Sequence, residues 1–278
     1  MAFSAFSDLR LINYKLTDIK DIIPLGTVKH PIMNWFALTD GYLYLKLGTK
    51  SVYEYASDAN AILCDGVKYN SYYLIRFIED FTEIFQTVGQ PLPSQILPEI
   101  KNFHAFQRFQ NQSIAYLEEL RAKYKLNDHD LDEQQQLISW IYSRGLPADH
   151  LVGGPNIWFF RYCDQIKIIW RANYQIRPNI FLWLFPNGDY TLNYNFFLRE
   201  IEIFAKSFFS DMAKRVELAV SIDWGNVAID KNSLVAEQLF RKDRFYQDLN
   251  MLSSNSTTDW SETISLINKM KNQSRFKN

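Results

Sequence analysis

The chain has 278 residues, 47% of them hydrophobic and 16% aromatic, and its 30 basic side chains nearly balance 31 acidic ones. This composition excludes a disordered or linker-rich chain, and the even charge excludes the dense positive field of a dedicated nucleic-acid binder. Ten glycines and nine prolines are too few for a loop-dominated architecture.

The first fifteen residues lack a basic start followed by an unbroken apolar core, so no secretory signal is expected. Asn34–Tyr55 is the first patterned block. Asp40-Gly41 has hairpin-turn chemistry, because glycine accepts a positive φ without a Cβ penalty. Leu43, Leu45 and Leu47 alternate with Tyr42, Tyr44 and Lys46 after it. Gly48-Thr49-Lys50 offers a second turn and Val52, Tyr53 and Tyr55 a third strand, which together predict a β-meander.

From Tyr69 to Val88 the apolar residues Tyr73, Phe77, Phe81, Ile84, Phe85 and Val88 recur at helical spacing, and Gln90-Pro91-Leu92-Pro93 ends the run. Amphipathic helices are expected over 101–125 and about 130–143. Strands Ile157–Tyr162 and Ile166–Trp170 flank a turn at Cys163-Asp164-Gln165, after the breaker Gly153-Gly154-Pro155. Phe181–Phe185 and Tyr190–Leu192 flank Pro186-Asn187-Gly188-Asp189, whose Asn-Gly pair signals a hairpin. Helices then follow over Tyr194–Val220, 230–250 and 260–272, the last capped by Asp259 or Thr258, with Ser253–Thr258 as a loop. Hairpin-linked strands grouped between helices define an α+β fold with a mostly antiparallel sheet, in one globular domain over 1–278 with 272–278 as a frayed tail.

No phosphate loop, dinucleotide fingerprint or nucleophile elbow is present. His30, His104, His129 and His150 are scattered, Cys64 and Cys163 lie far apart, and neither pattern indicates a metal site or a disulfide. Asp128, Asp130 and Asp132 imitate a calcium loop, but Glu133 and Ser139 stand where that loop needs glycine and glutamate. Asp80 with Glu99-Ile100-Lys101 imitates a nuclease centre, yet Asp80 falls inside a helix and Glu99 after a proline-rich loop. Arg241-Lys242 with Arg244 reads as a solvated helix face. The strongest polar group is Arg76, Glu79 and Asp80, one turn apart on an otherwise apolar helix: either a structural ion-pair cluster or the lining of a polar pocket. Trp35, Asp40, Asn156 and Arg161 are further binding candidates, with Asp164 and Trp170 beside them. No catalytic residue, cofactor or metal ligand is assigned.

Trp35-Phe36-Ala37-Leu38-Thr39-Asp40-Gly41, then Arg76-x-x-Glu79-Asp80, then Gly154–Arg161 with Trp170, then Met212–Val216, occur in this order. In these blocks, from about 30 to 220, the chain resembles a bacterial family of unknown function with a Trp-Phe-x-Leu-Thr-Asp-Gly signature. The resemblance implies no activity. The expectation is a non-enzymatic cytoplasmic binding protein with a protein partner, of the immunity type that neutralises a toxin, and without nucleic-acid or membrane binding. The alternative is an enzyme or small-ligand binder with a polar site near Asp40, Arg76, Glu79 and Asp80.

Overall fold

A computed structural model describes residues 10–63, 66–124, 132–253 and 258–275. The protein is α+β, with antiparallel sheets and long helices. Its N-terminal sheet is built on β4 (Asp40–Leu47), which pairs along one edge with β1 (Ile12–Leu16) and along the other with β5 (Lys50–Val52) and β6 (Ser71–Tyr73). Gly41, Leu43, Leu45 and Leu47 are buried, and Asp40, Tyr42, Tyr44 and Lys46 form the half-buried face, as period-two alternation requires. Gly48 at φ +64° turns the chain from β4 into β5, at the place expected for the second turn. The third strand stops at Val52, because Tyr53 takes a left-handed φ of 74°.

A central sheet runs in the order β12 (Asn187–Asn193), β9 (Gln165–Arg171), β8 (Asn156–Tyr162), β7 (Gly145–Leu146). The β8–β9 hairpin turns at Cys163, φ 48°, as expected, and Cys163 is an exposed free thiol. Successive residues of β8 and β9 point to opposite faces, and both faces are covered. Ile157, Phe159, Ile166, Ile168 and Trp170 enter the larger core, whereas Trp158, Phe160 and Ile169 enter a second one. Burial on both sides explains a run as continuously apolar as Ile157-Trp158-Phe159-Phe160.

The larger core lies between the two sheets, α2 (Leu74–Glu83), α6 (Tyr194–Ser221) and α7 (Lys231–Leu252). α4 (Phe103–Tyr124), α5 (Asp132–Tyr142) and α8 (Ser261–Arg275) close the second. Asn193 caps α6 by accepting from the Phe196 amide, Asp230 caps α7 by accepting from Ser233, and Asp259 accepts from Ser261 ahead of α8. β2 (Leu25–Thr27) and β3 (His30–Met33) form a hairpin, and β13 (Ala228–Ile229) joins β3 in parallel, an exception to the antiparallel rule.

Four sequence expectations are corrected. Asp40-Gly41 is the start of β4 and not a hairpin turn. A turn comes earlier, where the Asn34 side chain accepts from the Ala37 amide and a short 3-10 turn spans Ala37–Thr39. The 69–88 helix begins only at Leu74, because Ser71–Tyr73 pairs with Asp40–Tyr42, and it breaks at Ile84 before the short α3 (Phe85–Val88). Asn187-Gly188-Asp189 lies within β12 opposite Ile169–Arg171; a Cβ on Gly188 would sit 2.3 Å from Trp170 Cζ2, so this glycine answers to space and not to a turn. α8 continues to Arg275, past the expected end at 272. Asp128, Asp130, His129, Cys64, the tail 276–278 and most of the 253–258 loop lie outside the described residues.

Candidate functional site

The ion pairs expected on α2 form, and tertiary packing extends them. Arg76 Nη1 lies 3.7 Å from Glu79 Oε2, and Arg76 Nη2 lies 3.9 Å from Asp80 Oδ1. Both separations exceed good hydrogen-bond length, and the Arg76 side chain is 43% exposed. The tighter partner of Glu79 is Arg241 on α7, which donates to Glu79 Oε1 and, through Nε, to Glu237 Oε2 at 3.2 Å. Arg241 is therefore an inward-facing interhelical tie, which corrects its assignment to a solvated face.

Trp35 explains where Arg241 points. Its ring is fully buried, its indole N–H donates to Gln238 Oε1 at 2.9 Å, and Gln238 Nε2 donates in turn to the Phe209 carbonyl at 3.0 Å. One turn further along α7, the Arg241 guanidinium lies 4.8 Å from the Trp35 ring centroid, an aromatic face that suits a cation. On the other side of α2, His150 Nδ1 lies 3.4 Å from Asp80 Oδ2, and its ring packs between Tyr72 and Phe77. The Tyr53 hydroxyl is buried without an acceptor among the described residues; burial, and secondarily the negative charge of Asp80, push its pKa up.

The cluster opens on a groove with two hollows. One, of about 470 Å³, lies between α2 and α7 and is lined by Glu79, Arg241, Arg244 and Asp248 among others. The second, of about 450 Å³, lies between α2 and the 142–150 segment, with His150 and Asp149 in its wall. Arg76, Asp80 and Glu83 line both. Phe240, 63% exposed, belongs to the first hollow, and Tyr142, 60% exposed, to the second.

The other candidates lie elsewhere. Asp40 lines neither hollow; its charge favours protonation of Arg215, whose guanidinium donates to the Thr17 carbonyl, against a larger opposing effect of burial. Arg161 donates to the Gly89 carbonyl and packs 4.2 Å from the Tyr194 ring centroid, holding the end of α3 against α6. Asn156 lines a small hollow of about 170 Å³ with Gln110, Asn111 and Arg171. Asp164 accepts at its carbonyl from the Tyr194 amide, and Trp170 donates to the Phe185 carbonyl. Among the described residues no three His, Cys, Asp or Glu side chains converge as a metal site, and no helix is long and apolar enough to cross a membrane.

Fold and site together describe an α+β protein with a mixed-charge groove across one helix. The chain belongs to a family of unknown function, DUF5984, whose model matches residues 11–266. No curated protein and no solved structure matches it. Arg241, Gln238 and His150 are the site residues that sequence reasoning missed. Arg241 lies 162 positions from Glu79, and no local pattern joins residues so far apart.

Proposed function

We propose that the protein is a non-enzymatic binding protein of the bacterial cytoplasm, and that it holds a protein partner, a toxin that it neutralises, in the groove over α2. The observation that carries this reading is the groove's make-up: Arg76 and acidic side chains at its centre, with the exposed rings of Phe240 and Tyr142 in its two hollows. Aromatic and arginine side chains are the types that dominate binding energy at protein interfaces. Trp35–Gly41 fits the role of a family signature, since Trp35 positions Arg241 and Gly41 admits β1 against β4. Co-expression with toxins encoded beside its gene tests the proposal. Wild type should restore growth and co-purify with one of them, whereas Phe240→Ala and Arg76→Ala should weaken the complex about tenfold or more while lowering the melting temperature by no more than about 4 °C. Variants that bind as wild type would remove the groove from the interface.

The contact between His150 and Asp80 favours a second reading, a small-ligand or catalytic site. A carboxylate beside an imidazole is the pairing a general base uses; the Nε2 that would take the proton is buried in this conformation, so the site would have to open to admit a substrate. A ligand whose thermal stabilisation is lost in His150→Gln, while partner binding persists, would select this reading over the first.

A further inference from the structure

Arg144 is the most deeply buried cationic side chain among the described residues, with 2% of its surface exposed. It follows α5, and its Nη1 donates to the Trp140 carbonyl at 3.0 Å and meets Ser143 Oγ at 3.5 Å. That contact closes the C-terminal end of α5, where a cation is favoured by the helix dipole. It uses one corner of the guanidinium. Nε and Nη2 are buried and meet no acceptor among the described residues. Arg161 and Arg215 each leave only Nε in that condition.

Nε–H and Nη2–H are the two parallel donors on the side edge of a guanidinium, the edge that grips both oxygens of a carboxylate. No described carboxylate acts on Arg144; burial alone pulls its pKa down to about 10, still well above neutral, so the charge persists. An unpaired buried charge is strongly destabilising, and neither one carbonyl nor the Trp260 ring, 5.2 Å from the guanidinium carbon, neutralises it. Trp140 and Trp260 pack with their ring centroids 6.3 Å apart beside it, so the surroundings are aromatic.

We propose that the Nε/Nη2 edge of Arg144 is a binding site for one carboxylate group, admitted when the half-buried Trp260 ring swings aside. A carboxylate carries the single charge that leaves the pair neutral in so buried a site, whereas a phosphate dianion would leave a charge uncompensated. The carboxylate belongs either to a free small acid or to an acidic side chain of a partner protein, and this site stands independently of the groove.

Thermal melts of the full chain at constant ionic strength test it, with acetate, a capped Ala-Asp-Ala peptide, phosphate and chloride as probes. Acetate or the peptide should raise the melting temperature with saturation, and tryptophan fluorescence should follow the same isotherm. Saturation by acetate marks a free acid as sufficient, and saturation by the peptide alone marks a partner's side chain. Arg144→Lys keeps the charge but loses the fork, and should weaken the isotherm roughly ten- to a hundredfold. Arg144→Met should abolish it; should that variant not fold, the wild-type and Arg144→Lys isotherms decide. No saturation by either carboxylate, saturation by phosphate alone, or an isotherm unchanged in the variants would overturn the proposal.

Discussion

Gly41 shows how a residue is constrained by its neighbours and not by its own dihedrals. Its φ is not positive, but a Cβ would lie 2.3 Å from the Lys15 carbonyl oxygen and 2.9 Å from Leu16 Cα, in backbone that has no room to yield. Gly41→Ala should destabilise by about 3 kcal/mol, as overpacking does, measured as a fall in the urea midpoint with an unchanged slope. Arg76 is the contrasting case. A half-exposed guanidinium with partners near 4 Å contributes little, so Arg76→Ala should cost about 1 kcal/mol or less, and less in high salt. Tyr194 donates to the Leu252 carbonyl, and burial pushes its pKa up to about 12 against the opposing pull of Arg161. Above pH 10 the unfolded tyrosine loses its proton while the folded one keeps it. The stability it contributes is therefore complete below pH 10 and falls as pH rises to about 12. Urea midpoints between pH 9 and 12 should decline less steeply in Tyr194→Phe.

At the scale of elements, the contact between α2 and α7 rests on a chain of directed bonds laid over apolar packing. Trp35→Phe keeps an aromatic face but removes the indole donor and part of the ring volume, leaving a cavity and Gln238 Oε1 buried with one partner fewer; a loss of about 2–4 kcal/mol is expected from chemical denaturation. The Arg241–Glu79 pair spans the two helices with 24% and 38% of its side chains exposed, between the surface and buried limits. A double-mutant cycle with Arg241→Ala and Glu79→Ala should return a coupling of about 1 kcal/mol. Additive losses would mean that α7 is held by its apolar face alone. The same logic explains why strand β6 replaced the first turn of the expected helix. Tyr72 and Tyr73 fit a pleated, half-buried edge, and pairing with Asp40–Tyr42 satisfies backbone groups that a helix start leaves open.

On the scale of the whole molecule, the central sheet serves two cores at once. Trp158 and Phe160 face α4 and α5, while Ile157 and Phe159 face the larger core, so neither core survives loss of β8. Unfolding should be a single cooperative transition: tryptophan fluorescence, which reports Trp140 and Trp260 as well as Trp35 and Trp170, should follow the same urea curve as far-UV circular dichroism. Separate midpoints would show two folding units and refute the single domain.

The α+β class, the β8–β9 hairpin and the long helices were legible in the chain because periodicity and capping are local. Ile157–Tyr162 announces a strand by its apolar run, and Asp259 announces a helix start by its side-chain acceptor. Arg76, Glu79 and Asp80 were legible for the same reason, being one turn apart. The two Asp/Asn-Gly pairs misled, because glycine is also required wherever another chain or ring approaches closely, as Lys15 does at Gly41 and Trp170 at Gly188. What tertiary structure alone decided is the company those residues keep. Arg241 and His150 reach α2 from remote parts of the chain, and Arg144 goes inward while Arg76 stays half outside. Sequence order determines each element's apolar face, but which charged groups meet depends on how those faces stack in three dimensions.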